Sequence, residues 1–220
     1  MTRSSCGRYA RFVPPPPGIE LDSALLDWAQ SIEGDGTRLD PVVAAAPAHY
    51  QFETLHLFND GNGRIDRLVI VPQFLRPGII SEPLLTVSPW FEARRKDYQD
   101  NLMRVSETGD WDTWVSFFAE GIRAQAESTA RKVTELVAFR AATRETVKTR
   151  SPGLTLDIVD DLVSYPVITA PGVAIRHSVS PQAAHVAVNK LVQQGVLQEV
   201  TGRNYGRVFC SREAMRILES

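Results

Sequence analysis

One short segment, from His56 to Arg67, concentrates residue types that could do chemistry on a phosphate. Gly61 and Gly63 flank Asn62, so the backbone can turn tightly and present its amide groups without side-chain obstruction. An apolar run predicted to be helical follows, and a helix N-terminus favours an anion through its free amides and its dipole. The segment therefore predicts a loop that binds phosphate groups.

The charged side chains of the same segment suit phosphate transfer. Arg64 and Arg67 are three residues apart, so both start from one side of a helical turn, and guanidinium groups bind phosphate oxygens bidentately. Asp60 is a hard oxygen ligand, suited to Mg²⁺ when phosphates complete the coordination shell. His56 can act as a general base near neutral pH. A phosphate cradle, a metal ligand and a base within twelve residues indicate phosphoryl or nucleotidyl transfer.

Each feature alone has an ordinary structural explanation. A Gly-Asn-Gly sequence is usually only a turn, a single histidine is usually a core or surface residue, and two arginines at this spacing are usually solvated. Their joint spacing is what makes the segment specific.

The segment resembles the signature of the Fic (Fic/Doc) family, His-x-Phe-x-Asp/Glu-Gly-Asn-Gly-Arg-x-x-Arg. Every fixed position is matched, by His56, Phe58, Asp60, Gly61, Asn62, Gly63, Arg64 and Arg67. The similarity extends over roughly residues 11–140, and a C-terminal winged helix is a familiar companion in such proteins.

The resemblance implies a protein adenylyltransferase: an all-α core that moves AMP from ATP to a Ser, Thr or Tyr hydroxyl of a target protein, with Mg²⁺ as cofactor. By matching position, His56 would deprotonate the target hydroxyl, Asp60 would hold Mg²⁺ and Phe58 would be structural. The nucleotide would be bound around its phosphates and beside its adenine by Gly61, Asn62, Gly63, Arg64, Arg67, Tyr98 and Gln99. The family often has two tyrosines at the last pair, so Gln99 departs from the pattern.

Other departures concern the motif and the N-terminus. Leu57 replaces a common proline, and Asp66 adds a carboxylate that would lower the local positive potential. In the family, two strands before the proline run (here Pro14 to Pro17) form a flap that holds the target segment by strand addition. Only the second strand, about residues 8–13, is expected here, which would make the chain an N-terminally shortened member.

Many members are inhibited by a helix of pattern Ser/Thr-x-x-x-Glu-Gly/Asn, whose glutamate pairs with the second motif arginine, here Arg67. Glu33-Gly34 fails the pattern because Ala29 stands at its first position. The stretch from Ser116 to Gly121 fits formally but resembles the ordinary core helix that follows the motif. We therefore expect the chain to lack an inhibitory helix of its own.

The elements that position the segment are predicted to be mainly helical. Apolar spacing and Ser-Pro or Asp-Pro caps predict helices over residues 21–32, from Asp40-Pro41 to about 54, 65–75, from Ser88-Pro89 to about 105, and from Trp111 through 149. Pro47 should kink or split the second of these.

Composition shifts near Ser151-Pro152-Gly153, which predicts a domain boundary. We predict an extended segment with a partial flap strand over 1–18, a Fic-like helical domain over 19–149 and a winged helix-turn-helix domain over 150–220. The last rests on helices expected over 156–165, 170–177 and 180–194, followed by strands over 196–201 and 207–210.

The C-terminal domain could bind DNA or a protein. The third helix and the turn offer polar candidates, namely His185, Asn189, Lys190, Arg203, Asn204 and Arg207. The third helix has one lysine and no arginine, and acidic residues balance the Arg and Lys residues beyond 151, whereas DNA affinity needs several phosphate contacts. Partner docking is therefore about as well supported as DNA binding.

Composition sets the remaining expectations. The 220 residues are 43% hydrophobic and 23% charged with a net charge of −2, which is typical of a globular protein and excludes a globally basic nucleic-acid binder. Cys6 and Cys210 are too few for a disulfide framework. No apolar run is long enough to cross a membrane and no signal peptide is recognisable, so we expect a cytoplasmic protein. A homodimer stays open.

Two rival hypotheses keep the same residues. In one, the site transfers phosphate or uses another nucleotide; in the other, a degenerate Fic core is a scaffold for a winged-helix regulator. Joint retention of His56, Asp60, Asn62, Arg64 and Arg67 argues against decay.

Overall fold

The structure is a computed structural model that describes residues 15–33, 39–57, 62–150, 153–203 and 205–220, with the side chains of 62–68, 149 and 150 left out. Within these ranges the chain is mainly helical, which confirms the predicted fold class. No helix in the described ranges combines the length and apolar character that crossing a bilayer requires.

The helices in chain order are α1 (Ile19–Glu33), α2 (Pro41–Leu55), α3 (Asn62–Leu75), α4 (Ser88–Ala93), α5 (Arg95–Thr108), α6 (Trp111–Arg150), α7 (Leu154–Asp161), α8 (Ala170–Arg176), α9 (Pro181–Gln193) and α10 (Arg212–Glu219). The strands are β1 (Val167–Thr169), β2 (Gln198–Glu199) and β3 (Val208–Cys210), in one antiparallel sheet of order β1-β3-β2.

The chain forms two compact units, Met1–Thr129 and Ala130–Ser220. The division falls inside α6, because this helix runs from Trp111 to Arg150 without interruption. The domain boundaries expected at 18/19 and 149/150 stay a prediction.

Helix α2 begins at the predicted cap. The Asp40 carboxylate accepts a hydrogen bond from the Val42 amide at 2.9 Å, and Pro41 occupies the first turn, where no amide is needed. The expected split at Pro47 is wrong, because α2 is one helix through this residue. Buried alanines on both sides, Ala46 and Ala48, hold the helix against the core and offset the hydrogen bond that proline cannot donate.

The single helix predicted from Ser88 to about 105 is two helices. Arg94, at φ −120° and ψ 33°, separates α4 from α5, and Val87 rather than Ser88 is the N-cap. The break allows Trp90 of α4 and Tyr98 of α5 to be buried in the same core. No glycine or proline marks this position, so the local sequence gave no sign of it.

The first unit has an aromatic core. An apolar stripe on α6 has Trp114, Phe118 and Ile122 buried, whereas Trp111, at the same helical spacing, is 39% exposed. Asp110 caps this helix by accepting hydrogen bonds from the hydroxyl and amide of Thr113, and these bonds lower the pKa of Asp110. The stripe packs on residues from α2, α3, α4 and α5.

The second unit is described by itself. The Thr169 and Ser180 side chains cap α8 and α9 by accepting hydrogen bonds from the amides of Gly172 and Ala183. Helix α7 ends at Asp161, short of the expected 165, and the sequence analysis predicted neither β1 nor α10. The winged helix-turn-helix assignment stays a prediction.

Candidate active site

His56 terminates α2 and faces solvent. Its backbone is left-handed, with φ 47° and ψ 53°, which ends the helix immediately after Leu55. Leu55 is buried and Leu57 half-buried in a cluster with Trp28 and Phe52. The imidazole is therefore the exposed side chain between two that anchor the chain in the protein.

The left-handed conformation is uncommon for a residue with a Cβ, although histidine tolerates it better than most. At His56 it ends α2 sharply. The position is held by packing of its two neighbours, because the side chain itself is exposed.

Helix α3 begins at Asn62, which places the motif's Asn62, Gly63, Arg64 and Arg67 in its first two turns. The first backbone N–H groups of a helix have no intrahelical acceptor and carry the positive end of the dipole. The predicted helix N-terminus after the glycine-rich loop is therefore confirmed. Phe58, Asp60 and Gly61, and the side chains of Arg64 and Arg67, lie outside the described residues.

Packing of α2 on α3 fixes the end of one helix near the start of the other. Ala45 and Ala46 of α2 share a core cluster with Ile70 and Phe74 of α3. Six residues join Leu55 to Asn62, so the connecting chain can span no more than about 25 Å. His56 and the start of α3 thus lie at the ends of two helices that are packed in one core.

A buried histidine that the sequence analysis missed fixes α2 to the rest of the core. His49 is 1% exposed, and its Nε2 lies 3.0 Å from the Tyr98 hydroxyl. Its ring stacks on Trp114 with centroids 5.9 Å apart and planes at 9°, and the Trp114 indole donates to the Ala46 carbonyl at 2.8 Å. The signal that could have identified His49 is its position two helical turns before His56.

The two residues expected beside the adenine differ in exposure. Tyr98 is 6% exposed and its ring packs against those of His49, Phe91 and Trp114. Gln99 is exposed. In this structure Tyr98 is part of the core, and the role of this pair in binding adenine stays a prediction.

The stretch from Ser116 to Gly121, which fits the inhibitory pattern formally, lies within α6. The Glu120 carboxylate accepts two hydrogen bonds from Arg123, at 2.7 and 2.9 Å, and this bonding lowers the pKa of Glu120. A Cβ at Gly121 would lie 2.8 Å from an aromatic carbon of Trp90. Close packing in the core therefore explains the glycine without a regulatory role.

Comparisons with known proteins address the same part of the chain. Residues 3–72 match the sequence model of the Fic/DOC family. Two curated relatives named protein adenylyltransferase Fic, from Drosophila willistoni and Drosophila yakuba, are 34% and 36% identical over 113 residues, which are 49% of this chain and 20% of each relative. Protein adenylyltransferase fic-1 of Caenorhabditis elegans is 29% identical over 119 residues, which are 53% of this chain and 22% of the relative.

The chain thus spans about a fifth of the length of these curated relatives. A solved Fic family protein from Desulfovibrio desulfuricans G20 is 20% identical, with a TM-score of 0.45 over 89% of this chain and 56% of that one. The family match includes the entire segment from His56 to Arg67, all of α2, and α3 up to residue 72. Residues 3–72 of this chain are therefore similar to the Fic/DOC family.

Proposed function

We propose that this protein is an adenylyltransferase that moves AMP from ATP to a Ser, Thr or Tyr hydroxyl of a target protein. The observation that carries the proposal is the exposed His56 at the end of α2, six residues before the first turn of α3. A base beside a helix N-terminus rich in arginine is an arrangement suited to a reaction at phosphorus. Two curated relatives named as adenylyltransferases are 34% and 36% identical to this chain over 113 residues.

The reaction is an in-line displacement at the α-phosphorus of ATP. The target hydroxyl oxygen attacks this phosphorus, and its proton passes to the His56 imidazole. The new oxygen–phosphorus bond forms as the bond to the β-phosphate oxygen breaks, so pyrophosphate leaves and AMP stays on the target. The amides at the start of α3, with Arg64 and Arg67, stabilise the negative charge on the phosphates.

Magnesium fits the donor set of this segment, and Asp60 is the residue that would hold it. No cluster of three or more His, Cys, Asp or Glu side chains that could hold a metal occurs among the described residues. A single carboxylate needs the phosphate oxygens of the nucleotide to complete a Mg²⁺ shell. Bound there, the ion would neutralise charge on the phosphates.

The test uses the purified chain with Mg²⁺ and ATP labelled at either the α- or the γ-phosphate. Label from α-ATP alone, with the mass of an added AMP on protein, is the expected result. Label from γ-ATP alone would replace the proposal by phosphate transfer. Absence of any label, together with no rise of the melting temperature on adding ATP, would favour the scaffold hypothesis.

The expectation that this chain lacks an inhibitory helix of its own gives a second prediction. Replacing Glu120 by Gly should leave the rate of self-modification within about twofold of the wild-type rate, because the Glu120 carboxylate is engaged by Arg123. The rate is read as α-label incorporated into the chain per minute.

Glu127→Gly is a matched control for that experiment. Glu127 lies on the same helix and binds the same arginine at 2.7 Å, so both variants lose an ion pair and both introduce a helical glycine. A strong rise in self-modification for Glu120→Gly, without one for Glu127→Gly, would show that Glu120 is an inhibitor after all.

ATP and a target protein are the partners that this function requires. A homodimer, a cytoplasmic location and the identity of the modified residue stay open predictions. The C-terminal unit carries a separate proposal, which does not depend on transferase activity.

A further inference from the structure

Helix α9 has one face in the core and one in solvent. Its buried face consists of Ala184, Ala187, Val188 and Leu191. Its exposed side chains are those of Pro181, Gln182, Ala183, His185, Val186, Lys190 and Gln193. Four of these seven carry amide, imidazole or ammonium groups, and α9 contains no carboxylate. The exposed face therefore offers hydrogen-bond donors without negative charge.

Charge in this part of the sequence is segregated rather than balanced. From Leu162 to Arg212 there are five Arg and Lys residues and one carboxylate, Glu199. The other acidic residues of the second unit are on α6, α7 and α10. Although acidic and basic residues are equal in number beyond residue 151, the segment from Leu162 to Arg212 has a net positive charge. This segment includes α8, α9 and the sheet.

Carboxylates in contact with this segment compensate two of its cations. Asp161 at the end of α7 lies 3.4 Å from the Arg176 guanidinium and 3.0 Å from Nε2 of His177. Arg207 donates to Glu199 at 2.9 Å, and this hydrogen bond lowers the pKa of Glu199. Lys190 of α9 and Arg203 of the β2–β3 turn are both exposed and have no ion pair among the described residues.

The turn between β2 and β3 adds an exposed aromatic residue. Tyr205 is 90% exposed and stands between Arg203 and Arg207 in the sequence. An aromatic side chain flanked by arginines suits the edge of a groove lined by phosphates, where its ring contacts sugar or base and the guanidinium groups contact phosphate.

We propose that the exposed face of α9, together with Arg203 and Tyr205 from the segment between β2 and β3, binds duplex DNA. Helix α9 enters the major groove, which at about 12 Å wide admits a helix, while Lys190 and Arg203 contact backbone phosphates. Gln182 and His185, on the first two turns, present hydrogen-bonding groups to base edges, and Val186 presents a methyl group to thymine. Lys190 and Arg203, both exposed, give these elements the positive charge that complements DNA.

The test is fluorescence anisotropy of a labelled random 30-base-pair duplex with the full chain. With the two phosphate contacts from Lys190 and Arg203, affinity should be micromolar at 50 mM salt and fall about 12-fold when salt is raised to 200 mM. Replacing Lys190 by Glu should weaken binding at least tenfold at 50 mM salt, because one phosphate contact becomes repulsive. Lys190 is exposed, so the fold should be retained, as circular dichroism would verify.

Lys148→Glu is the matched control, since it makes the same charge change at an exposed position on α6. It should retain binding within about twofold. No anisotropy change at 50 mM salt overturns the proposal, as does an equal loss for both variants, which would reflect net charge alone. Equal or tighter binding of a single strand of the same length also overturns it, because the proposal requires a groove.

Discussion

Replacing His56 by Ala should lower the rate of AMP transfer by about 10²- to 10⁴-fold, the range typical of losing a general base. The imidazole faces solvent at the end of α2, beside the start of α3, and no other histidine of the first unit is exposed in the described residues. The measurement is the initial rate of α-label incorporation into the chain, or into a target once one is found. The protein itself should stay folded, because the side chain makes no buried contact.

Two further variants separate catalysis from backbone effects. His56→Asn supplies a residue that tolerates the left-handed conformation but cannot act as a base near neutral pH, so it should be as inactive as His56→Ala. His185→Ala removes an exposed histidine from α9 and should keep full activity. Activity above a tenth of the wild-type rate in both His56 variants would contradict the assignment of His56 as the base.

The elements that were predicted well from the sequence are specified by signals within the element itself. The starts of α2 and α9 follow from Asp40-Pro41 and Ser180-Pro181. In the structure, the Asp40 and Ser180 side chains accept hydrogen bonds from amides of the first turn. The stripe of α6 follows from apolar residues at helical spacing. In each case the signal lies within one turn or one face of the element it specifies.

What the sequence did not reveal depends on distant contacts. The break at Arg94 has no proline or glycine, and it exists because residues on both sides of it are buried in one core. Strand β1 has only three residues, too few for alternation to show, and it pairs with β3, which lies some forty residues further along the chain. Helix α10 is defined by packing of Ala214 and Ile217 on Leu136.

In the candidate site, too, some features could be predicted from neighbouring residues and others depend on distant contacts. His56 and the start of α3 were predicted from twelve consecutive residues, because the loop and its helix are contiguous in sequence. The burial of His49 and Tyr98 could not be predicted, since their contact joins residues 49 positions apart and depends on α6 packing over both. Tyr98, which the resemblance places beside the adenine, packs in the core that supports α2.

The contacts of Trp114 with the middle of α2 lead to a second prediction. This residue is 0% exposed, stacks on His49 and donates its indole N–H to the Ala46 carbonyl at 2.8 Å. Replacing Trp114 by Ala should lower the free energy of unfolding by about 3–5 kcal/mol, since it removes the largest fully buried side chain among the described residues and leaves a cavity. Unfolding in urea, followed by circular dichroism, measures the loss.

Milder variants separate the contribution of ring packing to stability from that of the indole hydrogen bond. Trp114→Phe keeps most of the ring contacts but loses the hydrogen bond, so it should cost only about 1–3 kcal/mol. Trp111→Ala removes a tryptophan that is partly exposed on the same helix and should cost less than Trp114→Ala. An equal cost for Trp111→Ala and Trp114→Ala would contradict the structure of this core.

The stability experiment also has a consequence for catalysis. Trp114 contacts α2 at Ala46 and His49, six or more residues before its last residue, and His56 is presented by the backbone at that end. If the core positions the base, Trp114→Phe should lower the maximal rate of AMP transfer under conditions where the variant is fully folded and leave ATP affinity nearly unchanged, because no phosphate contact is altered. An unchanged rate would mean that the turn at Leu55 and Leu57 alone fixes His56, since both leucines remain anchored in their own cluster.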